Sequence, residues 1–207
     1  MMNELKVIEI LKNELGFSDS SIKKLKKFHN YLLEYNKSYN LISKSTEKSI
    51  WIRHILDSAQ IIKLIDESKD HNIVDFGSGA GFPGLIIAFY NENLRFHVKL
   101  YENSPVKRAF LNNIKEKLDI KNIEIGNDVY EQKRIIADVI VCRAFKKLEE
   151  ILKISREIVK KPHKLIILKG KNAQSEINNV SLGSNWSYKI EKSITDHDSK
   201  IIIVDVK

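Results

Sequence analysis

Residues 73 to 84 read IVDFGSGAGFPG, and this stretch decides the fold. Its apolar, β-branched start predicts a buried strand that ends at Phe76. Four glycines follow from Gly77 to Gly84, and Pro83 marks the start of a helix, because its fixed φ suits a first helical turn. Glycine lets a ligand lie against bare backbone, and a helix N-terminus offers oriented N–H groups. The stretch therefore predicts a site for a nucleotide-like ligand.

Two acidic residues accompany the glycine turn. Glu102 ends the next predicted strand, 23 residues after Gly79, where a carboxylate can accept two hydrogen bonds from a ribose. Glu102 could instead be a solvated strand end. Asp75 either braces the turn by accepting loop amides or meets an amino group of the ligand. Because Gly79 opens a GxGxxG pattern between a strand and a helix, we expect Gly79 to contact the ligand.

Short apolar runs alternate with helical segments after residue 72 and predict an α/β fold. This pattern implies right-handed crossovers and a parallel sheet covered on both faces. The last two runs have no room for a helix between them, so we expect a terminal antiparallel hairpin. The predicted strands are 73–76, 96–101, 123–125, 137–141, 165–168, 187–193 and 200–206, and the predicted helices are 84–90, 105–118, 148–159 and 173–180.

The first 68 residues have a different pattern, which predicts a helical cap. Apolar side chains recur there at spacings of three and four residues, typical of two or three amphipathic helices. Ser18 or Asp19 can cap the second helix, and Ser45 or Thr46 the third. We predict a helical extension at 1–68 that packs on a catalytic domain at 69–207 and forms one structural unit with it.

NAD and S-adenosylmethionine both suit a glycine turn of this kind. Two features favour S-adenosylmethionine: the acid two residues before Gly77, and the antiparallel ending, which dehydrogenase sheets do not need. We therefore predict a Rossmann-like class I S-adenosylmethionine-dependent methyltransferase with a seven-stranded, mostly parallel sheet. A nicotinamide-dependent oxidoreductase is the alternative enzyme, and an RNA-binding assembly factor with a vestigial pocket is the non-enzymatic alternative.

The end of the fourth predicted strand narrows the type of methylation. The [DNS]-P-P-[YFW] tetrapeptide usual for amino-group methylation is absent, and Cys142 follows a valine, which indicates a small buried hydrophobic residue rather than a nucleophile. Arg143 could bind guanine O6, a phosphate or the donor's carboxylate, or pair with a surface acid. Guanine N7 has an in-plane lone pair and needs no general base, so positioning can supply most of its rate.

Composition and net charge limit the possible partners and the cellular location of the protein. Thirty-five Lys and Arg residues against 27 Asp and Glu leave a net charge of +8, which a lysine-rich composition partly explains. Residues 143–207 hold 14 basic and 8 acidic side chains, so the excess is largest beside the predicted site. No apolar run reaches the length of a membrane span, and the single cysteine permits no internal disulfide. We expect a cytoplasmic protein, monomeric and without a membrane partner.

Several motifs, in order between residues 25 and 170, resemble the bacterial 16S ribosomal RNA guanosine-N7 methyltransferases, also called glucose-inhibited division protein B. The motifs are Asn40-Leu41, HILDS at 54–58, GAGFPG at 79–84, Lys107-Arg108, Phe110-Leu111, Arg143-Ala144-Phe145 and Lys169-Gly170. The resemblance implies methylation of N7 on one guanosine in the decoding-region loop of 16S ribosomal RNA. S-adenosyl-L-methionine would be the donor, S-adenosyl-L-homocysteine the product, and the RNA or the small ribosomal subunit the partner.

The resemblance also implies roles for individual residues. Gly77 and Phe82 would line the donor, Val129 and Tyr130 would flank its adenine, and Arg143 would be the catalytic residue at the reaction centre.

A second group of residues is assigned to the RNA side. His54, Asp57 and Ser58 lie at positions i, i+3 and i+4 and so share one helical face. This face either packs on the catalytic domain through buried polar bonds, or contacts RNA or closes over the cofactor. Lys169 is predicted to contact RNA, because it belongs to the Lys169-Gly170 motif of the resemblance. No other His or Cys is spaced to complete a metal site, so we predict none.

Two basic segments could form a groove for RNA. They are Lys23–Lys27 and Arg143–Lys171. Both are alternatively ordinary solvated faces. If both border the donor cleft, RNA affinity should fall steeply with salt.

Overall fold

The computed structural model describes residues 3–90, 95–180 and 186–207, so Met1 and Met2 of the predicted cap lie outside the described residues. Seven strands of the described chain form one sheet. They are β1 (Asn72–Phe76), β2 (His97–Tyr101), β3 (Ile123–Gly126), β4 (Val139–Arg143), β5 (His163–Lys169), β6 (Trp186–Lys192) and β7 (Lys200–Val206).

The order of the strands across the sheet is β3-β2-β1-β4-β5-β7-β6. β1 to β5 pair in parallel, and β7 is antiparallel to both β5 and β6. This confirms the predicted mostly parallel sheet with a terminal hairpin. The order reverses between β1 and β4, and ligands of open α/β sheets bind at the carboxyl ends of the strands beside such a reversal.

Side chains of the central strands alternate between the two faces of the sheet. Ile73 packs into one apolar core and Val74 into the other, and Val141 and Cys142 divide in the same way. Consecutive apolar residues, whose side chains point to opposite faces, are expected where both faces are covered. Since the faces are closed, the strand ends are the part of the sheet that is open to a ligand.

Helices lie both in the cap and between the strands, and those between the strands confirm the predicted alternation. Ser18 caps the second helix, because its hydroxyl accepts the backbone N–H of Ser21 at 3.0 Å. Pro105 opens the fifth helix, which Ser104 caps. The helices are α1 (Glu4–Asn13), α2 (Asp19–Tyr39), α3 (Asp57–Ala59), α4 (Gly84–Tyr90), α5 (Pro105–Lys117), α6 (Leu148–Ile158) and α7 (Ala173–Asn178).

The third predicted helix of the cap is instead an irregular segment at 44–64. The predicted caps Ser45 and Thr46 are wrong, because Ser43 precedes the segment and no side chain caps it. Thr46 is used differently, since its hydroxyl donates to the Ser43 carbonyl oxygen and contacts Nε2 of His54. The segment consists of a 3₁₀-helix (Lys44–Ser49), a π-helix (Trp51–Leu56), α3 and a second 3₁₀-helix (Gln60–Leu64).

The cap and the sheet share apolar contacts. Phe28 of α2 and Ile55 of the π-helix are fully buried in the same core as Ile73 of β1. The proposed division at residue 68 stays a prediction. No helix of the described chain is both long and apolar enough to cross a membrane.

Candidate active site

A cavity of about 450 Å³ lies at the carboxyl ends of the parallel strands. His54 lines it together with every residue predicted to bind the donor, whereas the other residues assigned to RNA lie elsewhere. The predicted donor-binding residues in its wall are Gly77, Gly79, Phe82, Glu102, Val129, Tyr130 and Arg143. The fold therefore brings the predicted donor site together, while the role of each residue stays a prediction.

The glycine turn after β1 forms part of the cavity wall. Gly77 and Gly79 have positive φ angles of 71° and 58°, which residues with a side chain rarely adopt. A Cβ at Gly77 would lie 2.3 Å from the ring of Phe145, so this glycine makes room for that ring. A Cβ at Gly79 would meet nothing within 4 Å. The open space beside Gly79 fits a donor that lies against bare backbone.

Glu102 connects the glycine turn to the start of α5. One carboxylate oxygen accepts the N–H of Gly79 and the other that of Ser104, both at 2.8 Å. Glu102 is buried, so the alternative of a solvated strand end is wrong. Each carboxylate oxygen has a second acceptor position. Glu102 can therefore brace the turn and still accept a ribose hydroxyl.

Asp75 lies beneath the turn and is fully buried. Its Oδ2 accepts the N–H of Gly84 at 2.9 Å, which favours the bracing role over contact with a ligand. Its Oδ1 is buried without a hydrogen-bond partner among the described residues. Burial raises the pKa of this carboxyl to about 7, because a charge is costly away from water.

Val129 and Tyr130 form a short 3₁₀ turn after β3. Val129 is buried, and the ring of the half-exposed Tyr130 lies 6.3 Å from that of Phe145. Apolar and aromatic walls of this kind suit a flat base. Asp128 caps the turn by accepting the N–H of Tyr130 at 3.0 Å and also lines the cavity. Sequence reasoning missed Asp128, although its place directly before the two predicted residues was an available signal.

Arg143, the last residue of β4, points its guanidinium toward the cap. Nη1 donates to the carbonyl oxygen of Arg53 at 2.6 Å and to Oδ2 of Asp57 at 3.1 Å, and Nη2 lies 2.5 Å from Nδ1 of His54. The guanidinium carbon is 5.2 Å from the ring centroid of Phe82. Arg143 thus pairs with an acid, but Asp57 is not the surface acid of the alternative: its side chain is 16% exposed and lines a second, smaller cavity together with Arg143.

His54 reaches the cavity from the π-helix. Its ring stacks on Phe82 at a centroid distance of 5.0 Å, and its Nε2 lies 2.9 Å from Oγ1 of Thr46. Burial, followed by the nearby charges of Arg143 and Arg53, lowers the pKa of His54 to about 3. The imidazole is therefore neutral at physiological pH.

Asp57 joins three parts of the chain. Besides Arg143, it accepts hydrogen bonds from Gln60 Nε2 at 2.9 Å and from Thr195 Oγ1 at 2.8 Å, in the turn between β6 and β7. Ser58 is fully buried and its hydroxyl has no partner among the described residues. The predicted helical face is therefore divided: His54 and Asp57 meet at Arg143, while Ser58 packs inside.

Lys169 lines a second cavity of about 160 Å³, which Asp57 and Arg143 also border. Its ammonium pairs with Glu176 at 2.8 Å and donates to the carbonyl oxygen of Lys146. The side chain is 12% exposed, so Lys169 is held within the protein in this conformation. Lys146 itself lines the larger cavity, whereas the segment Lys23–Lys27 does not appear among its lining residues.

Two further predictions concern reactivity and metals. Cys142 is fully buried and burial raises the pKa of its thiol, which confirms its interpretation as a hydrophobic core residue. Within residues 3–90, 95–180 and 186–207, no group of three or more His, Cys, Asp or Glu side chains could hold a metal ion.

Solved structures share the fold at low sequence identity. The cofactor-bound structure of Rv0187 from MTB aligns over 100% of this chain and 98% of its own, with a TM-score of 0.65 and 9% identity. A SAM-dependent methyltransferase from Aquifex aeolicus aligns over 82% of this chain and 96% of its own, with a TM-score of 0.55 and 13% identity. At these identities the likeness establishes the fold alone.

Sequence relatives are more informative. The chain is 34% identical over 200 residues to the ribosomal RNA small subunit methyltransferase G of Orientia tsutsugamushi (strain Ikeda), covering 97% of this chain and 98% of that protein. It is 38% identical over 185 residues to the protein of the same name from Rickettsia akari (strain Hartford), covering 88% and 93%. A family model described as rRNA small subunit methyltransferase G matches residues 21–201. These matches confirm what the motifs predicted: the chain belongs to the rRNA small subunit methyltransferase G family.

Proposed function

We propose that the protein transfers a methyl group from S-adenosylmethionine to N7 of one guanosine in the decoding-region loop of 16S ribosomal RNA. Family membership supports the reaction class and the RNA. The observation that supports the position of the site is the single cavity shared by Gly79, Glu102 and Arg143 at the carboxyl ends of neighbouring strands. S-adenosylmethionine supplies the chemistry as a methyl group on a positively charged sulfur.

The walls of the cavity fit the parts of this donor. Glu102 would accept the ribose hydroxyls, and the bare backbone at Gly79 leaves room beside it. Val129 and Tyr130, which both line the cavity, would hold the adenine between an apolar side chain and a ring. Phe82 and Gly77, with the ring of Phe145 beside that glycine, complete the wall. S-adenosylhomocysteine, the product, would make the same contacts.

Arg143 acts on the acceptor side. A guanidinium has five N–H donors, and the contacts with Arg53, His54 and Asp57 use three of them among the described residues. The others can bind guanine O6, which would align the acceptor, or the carboxylate of the donor. N7 loses no proton when it is methylated, so the site needs alignment and charge but no general base.

The RNA side of the proposal rests on the basic residues near the cavity. Lys107 and Lys146 line it and can neutralise backbone phosphates. The partner is 16S ribosomal RNA, alone or in the small subunit. The protein acts as a monomer in the cytoplasm, where this substrate is made.

Methylation of purified small ribosomal subunits tests the proposal directly. The protein is incubated with methyl-labelled donor and with bacterial subunits, or their RNA, that lack the modification. We expect label in N7-methylguanosine after digestion to nucleosides. A folded protein that binds S-adenosylhomocysteine but leaves both substrates unlabelled would refute the proposal. A protein that binds an NAD analogue and not S-adenosylhomocysteine would favour the oxidoreductase instead.

A further inference from the structure

Four groups form a polar chain from the cap to Arg143. The chain runs from the Ser43 carbonyl oxygen to Oγ1 of Thr46 at 2.9 Å, from there to Nε2 of His54 at 2.9 Å, and from Nδ1 of His54 to Nη2 of Arg143 at 2.5 Å. Of these groups, Arg143 has the proposed catalytic role, and His54 was predicted only to pack on the catalytic domain or to contact RNA or the cofactor. These hydrogen bonds connect the irregular cap segment at 44–64 to the reaction centre.

The direction of each hydrogen bond in this chain is determined by its ends. Arg143 can only donate, so Nδ1 of His54 must accept and must be unprotonated. A neutral imidazole then has its single proton on Nε2, which donates to Oγ1 of Thr46. The Thr46 hydroxyl has its own proton left for the Ser43 carbonyl oxygen. The four groups therefore select one tautomer of His54.

A neutral partner suits an arginine that must act on a ligand. Asp57 already provides one negative charge beside Arg143, since its Oδ2 lies 3.1 Å from Nη1. A second carboxylate in place of His54 would neutralise the guanidinium further and attract it away from the cavity. His54 instead fixes the orientation of Nη2 without adding charge. Its low pKa is consistent with this arrangement, since burial and Arg143 both disfavour the imidazolium.

We propose that His54 is a positioning residue for Arg143, held as the Nε2-protonated neutral tautomer by Thr46 and aligning the guanidinium through Nδ1. This inference rests on the proposed methyl transfer, because the alignment matters only if Arg143 acts on the acceptor or the donor. The competing view is that His54 merely packs, since its ring also stacks on Phe82. The positioning role requires an acceptor at Nδ1, whereas packing requires only the ring.

Two substitutions separate these views. His54→Asn keeps an amide oxygen near the place of Nδ1 and loses the Nε2 contact, whereas His54→Gln extends its amide toward Thr46 and loses the acceptor for Arg143. Both remove the ring and its stacking. We expect His54→Gln to lower kcat about tenfold or more, because small misplacements at a reaction centre are costly. His54→Asn should stay within about threefold of the wild-type kcat. The affinity for S-adenosylhomocysteine should change by less than about threefold in either variant.

A matched control is His97→Gln. His97 is exposed at the amino end of β2, whereas the cavity lies at the carboxyl ends of the strands. It should leave kcat unchanged. Equal kcat in His54→Asn and His54→Gln would overturn the inference, whether both were active or both impaired. A wild-type protein that binds the donor but methylates no RNA would refute the proposed function instead, and the inference with it.

A second measurement does not depend on any variant. Nitrogen-15 NMR of the wild-type imidazole distinguishes a protonated from an unprotonated ring nitrogen. Near pH 7 we expect His54 to have an unprotonated Nδ1 and a protonated Nε2. A proton on Nδ1, in either the other neutral tautomer or the imidazolium, would overturn the inference even if both variants failed to fold.

Discussion

Two buried ionisable side chains of the site have pKa shifts that oppose each other in their effect on stability. Asp75 has its pKa raised to about 7 from 3.8, so its contribution to stability is present below 3.8 and is lost as pH rises toward 7. His54 has its pKa lowered to about 3 from 6.5, so its contribution is present above 6.5 and is lost as pH falls toward 3. Between pH 3.8 and 6.5 both contributions change with pH, and the two changes offset each other.

We therefore expect single variants to reveal opposite slopes. Between pH 4.5 and 6, Asp75→Asn should make the free energy of unfolding rise more steeply with pH than in the wild type, by up to about 1.4 kcal/mol per pH unit. His54→Gln should change the slope by a similar amount in the other direction. Urea unfolding at several pH values measures both. Parallel profiles for the wild type and the two variants would contradict the assigned shifts.

Individual residues of the site differed in how well the sequence predicted them. Glu102 and Gly79 were predictable, because a strand end and a glycine turn set their positions through local backbone geometry. The environment of Arg143 was not, since its partners Arg53 and Asp57 lie about 90 positions away in the chain. Contacts of that kind depend on how the cap packs, which no local pattern records.

At the scale of elements, the strands were well predicted and the cap segment at 44–64 was not. Short continuous apolar runs are typical of strands that are buried on both faces, and the sheet has such strands throughout its centre. A π-helix uses i→i+5 hydrogen bonds, so the 3.6-residue period that identifies an α-helix does not describe it.

The turn between β6 and β7 is attached to the cap by Gln60. The side chain of Gln60 accepts the N–H of Ile194 at 2.9 Å and donates to Oγ of Ser193 at 3.1 Å, while 8% of the residue is exposed. Replacement by leucine would remove the acceptor of the Ile194 N–H, whereas Ser193 would keep its contact with Oγ1 of Thr195. We expect Gln60→Leu to lower the free energy of unfolding by about 1–3 kcal/mol and to speed amide exchange at Ile194.

Hydrogen exchange followed by NMR measures the effect at Ile194, and urea unfolding measures the loss of stability. Gln174→Leu is the control, because Gln174 is exposed on α7 and contacts only Asn178 among its described side-chain partners. Unchanged exchange at Ile194 in Gln60→Leu would show that the turn is held by other contacts.

For the whole molecule, the position of the basic residues matters more than the net charge of +8. Lys107 lines the donor cavity at the carboxyl ends of the strands, whereas Lys121 lies two residues before β3, at the amino end of that strand. We expect RNA affinity to fall with salt, and Lys107→Gln to reduce the slope of log affinity against log salt by about one. Lys121→Gln should leave the slope unchanged. Filter binding over a salt series measures both, and equal slopes would place the RNA elsewhere.

The strands at the two edges of the sheet have a consequence for the protein at high concentration. β3 has only four residues, and β6 exposes the charged side chains of Lys189 and Lys192. Short and charged edges are poor templates for a strand from another molecule. The strands β1, β2 and β4, which have Gly77, Glu102 and Arg143 at or just after their carboxyl ends, are all interior. The same topology that opens the sheet to a ligand at its strand ends therefore protects these strands from pairing with another molecule.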